Sequence, residues 1–417
     1  IEKLITCAEV SRLITSTLEL EEVLDRIMTT SRFVMEADVC SLLLWDEHTQ
    51  ELVFHVAQGA AGEMLRGQVR LKKGQGIAGH VFATGEPVLI EDAYKDPRFN
   101  QDVDRRTGYR THSILCVPLR VKDRIIGVSQ AINKLDGTPF TQQDLETFTA
   151  LCMHAAIAIE NARMHRALLR KQQMESDLAF ATCVQQSFLP QQLPEIPGYP
   201  FCAHYQSALE VGGDFYDFIS LPGNRMGILL GDVSGKGVSS ALYMARLTSD
   251  FRVQALSGQR IARTVEGINE LLCERSQRGM FVTLLYLVLD PAGSNIQYVN
   301  AGHIPPVLWN ARTGRLRTLS GTGGIPLGIL PKRFYKVGRV QLRPGDCLLL
   351  STDGVIEARD SAGNPFGWER LHEAIKEGES EVDSVLRRVL DALRAHVGGS
   401  PRSDDVTMVL LGMKEAP

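Results

Sequence analysis

No run of about 18 apolar residues occurs anywhere in the chain, so no segment reads as a membrane-spanning helix, and no charged-then-apolar leader opens it. Neither sign of charge is in excess. The 45 Lys and Arg against 49 Asp and Glu leave a formal −4, which supplies no global pull toward nucleic acid or an anionic bilayer. The eight cysteines, at 7, 40, 116, 152, 183, 202, 273 and 347, form no Cys-x-x-Cys pair, which excludes a close cysteine metal site and reads as buried thiols of a reducing cytoplasm. A P-loop is missing, because the glycine-rich stretch 231–237 lacks the required spacing. The Asp-Phe-Gly and His-Arg-Asp of kinases and the Cys-x5-Arg of cysteine phosphatases are missing too, as are internal repeats and low-complexity tracts. The chain opens on Ile1 rather than methionine, which leaves room for a preceding segment holding another sensor or an anchor.

What is present is the composition of a globular protein, 44% hydrophobic and 23% charged, in a length of 417 residues that calls for two or three domains. Residues 1–162 read as an α+β module. Strands are expected at 39–45, 52–57, 88–91, 113–120 and 124–133, with turns at Lys122-Asp123 and Leu135-Asp136-Gly137. Thr141 is a candidate N-cap for a helix that meets no Gly or Pro until Pro190. Its residues 163–190 are expected to be a linker. Leu151, Ala155, Ala158, Ala162, His165 and Leu169 keep a heptad-like spacing, as do Met174, Leu178, Ala181, Gln185 and Phe188, with a five-residue step between the two sets. That interrupted stripe predicts a dimeric coiled coil and a homodimer, the alternative being a helix packed on its own domains. Residues 191–417 form a further compact region, with strands expected at 226–232, 280–290, 295–301, 346–352 and 406–411 and helices at 239–256, 261–275, 368–375 and 382–396.

Four acidic positions in this last region sit where apolar runs meet short polar or glycine-rich turns: Gly212-Gly213-Asp214, Gly231-Asp232-Val233, Thr352-Asp353-Gly354 and Ser403-Asp404-Asp405. An aspartate at the end of a buried strand is costly unless paired or bound to a cation, so several together point to hard-metal ligation by oxygen. Glycine beside a carboxylate lets the backbone approach an ion, and Val233 is a candidate to add its carbonyl.

Residues 178–412 resemble the PPM family of metal-dependent protein phosphatases, in particular its SpoIIE-type branch. Besides the aspartates, the resemblance is carried by Gln185-Gln186-Ser187-Phe188-Leu189-Pro190, Asn300-Ala301-Gly302-His303-Ile304-Pro305-Pro306, Pro326-Leu327-Gly328 and Phe366-Gly367. It implies an α/β/β/α sandwich and a catalytic set of Asp214, Asp232, Asp353 and Asp404 holding two Mn²⁺ or Mg²⁺ ions. Asp232 would bridge, Asp353 and Asp404 would complete one site and Asp214 would serve the other. Asp405 stands where many relatives carry Asn, which leaves the choice within the 404–405 pair open. His303 is either a proton donor or a structural turn residue. The resemblance further implies hydrolysis of phosphoserine or phosphothreonine in a protein, a phosphorylated STAS-type anti-sigma-factor antagonist being the expected substrate. The rival reading is a ligand-sensing dimeric scaffold with a phosphatase fold and no turnover.

Residues 20–162 resemble a GAF domain, through Cys40-Ser41-Leu42-Leu43-Leu44, Gly76-Ile77-Ala78-Gly79-His80-Val81, Thr107-Gly108-Tyr109-Arg110-Thr111 and Ile114-Leu115-Cys116-Val117-Pro118, among others. Of the Asn, Lys, Phe, Asp, Glu motif that marks nucleotide-binding members, Asn133, Lys134, Phe140 and Asp144 match and Leu145 replaces the Glu; the resemblance makes Lys134 and Asp144 a buried lock. It places a ligand pocket at Ser41, Ile77, Ala78, Asp104, Thr107, Thr111 and Gln130, with cAMP or cGMP as the expected regulatory ligand.

Overall fold

The computed structural model describes residues 19–58, 70–275, 279–378, 380–400 and 402–414. The chain divides into two compact units, residues 1–174 and 175–417.

In the first unit the strands β1 (Ala37–Asp46), β2 (Glu51–Gln58), β3 (Arg70–Lys72), β4 (Val88–Ile90), β5 (Ile114–Val121) and β6 (Arg124–Lys134) form one antiparallel sheet in the order β3-β2-β1-β6-β5-β4. The central strand β1 is almost continuously apolar because both of its faces are covered, as side chains alternate across a strand. Cys40, Leu42 and Leu44 pack with helix α1 (Leu20–Val34), whereas Leu43 packs with helix α2 (Gly76–Thr84). Helix α3 (Asp102–Thr107) follows β4. Helix α4 (Gln142–Phe188) starts as expected: Thr141 and Asp144 cap each other, the Thr141 N–H and hydroxyl donating to Asp144 Oδ2 and the Asp144 N–H donating back to Thr141 Oγ1.

The expected heptad stripe divides along this helix. Leu151, Ala155, Ala158 and Ala162 are buried in the chain's own α1–β1 core, so this half of the stripe already has its cover. Leu169 and Met174 are exposed, with Met164 and Leu168 beside them.

In the second unit two five-stranded antiparallel sheets stack face to face. One has the order β14 (Gly338–Gln341), β11 (Asn295–Ala301), β10 (Val282–Asp290), β9 (Arg225–Val233), β8 (Asp214–Leu221). The other runs β13 (Arg315–Thr318), β12 (Val307–Asn310), β15 (Asp346–Ser351), β16 (Val406–Gly412), β7 (Phe201–Gln206). Alternation along the second sheet builds two layers. Leu348, Leu350, Val409 and Leu411 face the first sheet, while Cys347, Leu349, Met408 and Leu410 face outward. The outward set packs against helices α8 (Gly367–Lys376) and α9 (Val382–Val397), after a short α7 (Asp353–Glu357). Helices α5 (Val238–Leu256) and α6 (Ile261–Arg275) cover the first sheet through Met244, Leu247, Phe251, Val265 and Ile268, completing an α/β/β/α sandwich. Phe251 meets Tyr286 edge to face at 4.8 Å, both fully buried; truncating either costs about 3–5 kcal/mol.

Two expectations shift. Asp353-Gly354 begins a helix rather than a plain turn, and strands β3, β7, β8 and β12–β14 join those expected. Asp217 and Arg252 explain β8. The carboxylate lies fully buried inside a strand, where it is a liability unless paired, and Arg252 of α5 reaches it with two nitrogens at 3.0 and 2.5 Å.

Candidate functional site

Strand register brings the first two aspartates together. Asp214 opens β8, Asp232 is the penultimate residue of β9, and they stand directly opposite each other. Like charges across a strand pair repel. Burial and then the Asp232 charge raise the Asp214 carboxyl well above the ordinary carboxylate range. Burial also pushes Asp232 up to about 7, with Asp353, Asp404 and Asp405 adding repulsion. Asp353, the first residue of α7, is raised by burial, Glu357 and Asp404. Asp404 lies two residues before β16, and its Oδ2 is 3.1 Å from Lys236 Nζ, which also donates to the Ser403 carbonyl.

Neighbouring polar groups hold this set in place. Thr352 and Thr407 both donate their hydroxyls to Asp214 Oδ2, at 2.7 and 2.6 Å, across the sandwich from the end of β15 and from β16. Asp405 points the other way: its carboxylate accepts the backbone N–H groups of Ala208, Gly213 and Asp214 and fixes the loop that delivers Asp214. Within the 404–405 pair, Asp404 is therefore the half-exposed carboxylate and Asp405 the buried tether. Gln185, near the end of α4, pairs reciprocally with Gly212, donating to its carbonyl at 2.6 Å and accepting its N–H at 3.1 Å. His303 has both ring nitrogens engaged, Nδ1 with the Thr283 hydroxyl and Nε2 with the Ser351 carbonyl. Complete burial pushes it down to about 4. It is a neutral brace beside the Asp232–Thr283 strand pair, which favours the structural alternative for this residue.

The donor set suits a hard cation. It consists of oxygens alone, and among the described residues the repulsion among Asp214, Asp232, Asp353 and Asp404 is offset in part by the Thr352 and Thr407 hydroxyls on Asp214 and by one cation, Lys236, at Asp404. Backbone access is also provided. A Cβ on Gly213 would stand 2.7 Å from the Val233 carbonyl oxygen and 3.4 Å from Asp232 Oδ1, so only glycine keeps that approach open. As placed, no three acidic, histidine or cysteine side chains among the described residues enclose an ion, because Asp214 is turned to the threonines and Asp404 to Lys236. Thr352, Thr407 and Gln185 are the residues that sequence reasoning left out of the site; the signal was their position beside Asp353, two residues after Asp405, and in the Gln-Gln-Ser-Phe-Leu-Pro run.

In the first unit, Ser41 and Gln130 are cross-strand partners, with Ser41 Oγ 3.4 Å from Gln130 Oε1. Ile77 and Ala78 are buried in the first turn of α2. Asp104 is buried and fully engaged: its carboxylate accepts the Thr111 N–H and hydroxyl, both at 2.8 Å, and the Tyr94 hydroxyl at 3.1 Å. Thr107 is the last residue of α3, and its side chain lies outside the described residues. The lock is in place, Lys134 Nζ lying 3.0 Å from Asp144 Oδ2. Burial opposes ionisation of Asp144, yet the Thr141 N–H and Lys134 outweigh it and hold the carboxyl below its usual value. Asn133, at a positive φ of 51°, accepts from the N–H groups of His112 and Ser113 and donates to the Arg110 carbonyl, latching that loop.

A stacked-sheet sandwich with acidic residues converging at its strand ends is the architecture of PP2C-type phosphatases, and the sheet with covering helices that precedes it is that of a GAF domain. The sequence matches the family described as stage II sporulation protein E (SpoIIE) over residues 222–414 and the GAF domain family over residues 19–159. The chain thus joins a GAF domain to a SpoIIE-type PPM phosphatase domain. It is 30% identical over 253 residues to the protein IcfG of Synechocystis sp., the match covering 54% of this chain and 40% of that one. It is 34% identical over 164 residues to the probable 3′,5′-cyclic phosphodiesterase pde-5 of Caenorhabditis elegans, covering 37% of this chain and 22% of that one. The matches therefore span well under half the length of these two relatives. Among solved structures, the SiaA-PP2C domain of Pseudomonas aeruginosa is 19% identical with a TM-score of 0.52, covering 59% of this chain and 99% of that one, a likeness of fold.

Proposed function

We propose that the chain is a metal-dependent phosphoserine/phosphothreonine protein phosphatase regulated through its GAF domain. In this reading residues 1–162 sense a ligand, 163–190 link, and 191–417 carry out hydrolysis on a STAS-type substrate, in a homodimer. The observation that carries it is the juxtaposition of Asp214 and Asp232 across β8–β9, with Asp353 and Asp404 raising the same negative potential. These four carboxylates and the Val233 carbonyl would hold Mn²⁺ or Mg²⁺. When bound, two such ions supply a water of lowered pKa and neutralise charge on the phosphoryl oxygens. The chain's own part is positional: Thr352 and Thr407 orient Asp214, Asp405 anchors its loop, and His303 braces Thr283 beside Asp232.

The likeness to GAF domains and to a probable cyclic phosphodiesterase supports cAMP or cGMP as the regulatory ligand. The seven residues Ser41, Ile77, Ala78, Asp104, Thr107, Thr111 and Gln130 form its pocket in this reading. Phosphate release from an aryl phosphate and from a serine-phosphorylated STAS protein, with Mn²⁺ and with chelator, is the direct test. Activity should vanish on chelation and fall at least about a hundredfold in Asp232→Ala, the scale on which electrostatic groups act in catalysis. Turnover that survives both defeats the mechanism. Its absence from the metal-loaded chain, with ligand and substrate still bound, establishes the scaffold reading instead. Titration of the chain with each cyclic nucleotide, repeated on Asp104→Ala, tests the sensor.

A further inference from the structure

A cavity of about 240 Å³ opens beside Asp404 in the second unit, on the side of the second sheet covered by α9. Its wall includes His204 of β7, Arg359 after α7, Leu393 and Arg394 of α9, and Arg402. Three guanidinium groups thus face one carboxylate, Asp404, which already has Lys236 as its partner. Arg359 uses one nitrogen on the Gly363 carbonyl and Arg394 one on Asp391. A guanidinium carries five N–H donors, so both keep capacity for a ligand. His204 Nε2 is buried with no hydrogen-bond partner among the described residues, a costly state for a polar atom. Burial, followed by the charges of Arg402 and Arg394, lowers the pKa of this imidazole, which places it among the cations rather than shielded from them. The remaining wall is mixed, its apolar part being Ala358, Leu393 and Val397 beside the polar Gln206, Ser400 and Ser403.

We propose that this cavity is a recognition subsite for an acidic side chain of the phosphoprotein substrate, seated while the phosphoserine lies at the aspartates. The proposal rests on the phosphatase reading above. Asp404 and Gly354 border the cavity and belong to the aspartate centre, so a peptide that delivers its phosphate there passes over the cavity mouth. Surplus guanidinium groups select a carboxylate. The apolar part of the wall, Ala358, Leu393 and Val397, receives the methylenes of Asp or Glu, for which free inorganic phosphate has no counterpart.

The experiment compares the 417-residue chain with its Arg394→Ala, Arg402→Ala and double variants. Substrates are p-nitrophenyl phosphate and phosphoserine peptides in which each flanking position is Glu, Ala or Lys. The wild type should favour peptides with Glu at one or two positions, and the double variant should lose about tenfold in kcat/KM on those peptides, the value of one charge-assisted contact. Turnover of p-nitrophenyl phosphate and of the Ala peptide should stay at the wild-type level. Arg402→Glu should reverse the preference toward Lys, a gain that misfolding cannot produce. Equal losses on all substrates, or none on the Glu peptide, overturn the proposal. If the chain turns nothing over, peptide affinity read by fluorescence anisotropy still decides: tighter binding of the Glu peptide that the double variant abolishes upholds the subsite, and equal affinities overturn it. A raised inhibition constant for inorganic phosphate in the double variant, with no change in peptide preference, assigns the cavity to released phosphate and also overturns it.

Discussion

Asp404 and Asp405 are adjacent and chemically identical, yet they have opposite duties. Asp405 satisfies three backbone donors, at Ala208, Gly213 and Asp214, in a buried position. Asp404 is partly exposed, with Lys236 on Oδ2 and the Asp405 N–H on Oδ1. Removing the first leaves buried N–H groups unpaired, each costing about 1–3 kcal/mol, whereas an exposed ion pair contributes about 0–1 kcal/mol. Asp405→Ala should therefore lower unfolding stability by about 2–4 kcal/mol, while Asp404→Ala leaves stability nearly unchanged and removes metal affinity. Denaturant melts together with Mn²⁺ titration separate the two outcomes, and a stable Asp405→Ala protein would refute the tether. The sequence alone left this pair unresolved, because the distinction lies in contacts with loop 208–214, almost 200 positions away.

At the scale of elements, α4 does more than connect. Thr182 donates to the Glu210 carbonyl, and Gln185 closes a two-bond ring with Gly212, immediately before the Gly213-Asp214 pair. The end of the helix is thereby tied to the loop that delivers Asp214. A Gln185→Leu chain keeps the volume but leaves the Gly212 N–H and carbonyl without partners, at about 2–3 kcal/mol. Its expected signature is weaker Mn²⁺ binding, seen by calorimetry, with α4 still helical by circular dichroism; unchanged metal affinity would exclude the coupling. The helix and the long strands were legible because their periodicity is strong. Strand β8 was not: Asp214 and Asp217 interrupt its alternation, and only Arg252 on α5 makes the second one tolerable. Strands β12, β13 and β14 were missed for a different reason, being four residues each. The half of the heptad stripe from Leu151 to Ala162 showed its spacing in the sequence but could not disclose that the GAF core covers it.

For the whole molecule, the aspartate centre is a store of electrostatic repulsion. Asp232 ionises at about 7 in the folded chain against an ordinary 3.8. Between those values the unfolded chain has released a proton that the folded one retains, so this group's contribution to stability is full below about pH 4 and is lost as the pH rises to about 7. His303 acts in the opposite sense, its contribution being lost as the pH falls from 6.5 toward 4. The informative comparison is therefore Asp232→Asn against wild type, both free of divalent ions. The variant's advantage in thermal midpoint should grow from nearly nothing at about pH 4 to its full size above about pH 7, and a constant advantage would contradict the shift. The aspartates themselves were readable from sequence because each borders an apolar run. The two threonines were not, since hydroxyls in a strand look like ordinary β-formers and their partner lies 138 and 193 positions away. Those two hydroxyls have a mechanical meaning. They come from one sheet and grip a carboxylate of the other, so the centre sits on the seam of the sandwich rather than on either wall. In the proposed reading, an ion held by Asp214 and Asp232 on one side and Asp353 and Asp404 on the other would act as a rivet through that seam. Ion occupancy and the breathing of the two sheets would then form a single equilibrium: loading should slow amide exchange along β8 and β16 together, and a wedge between the sheets should expel the ion.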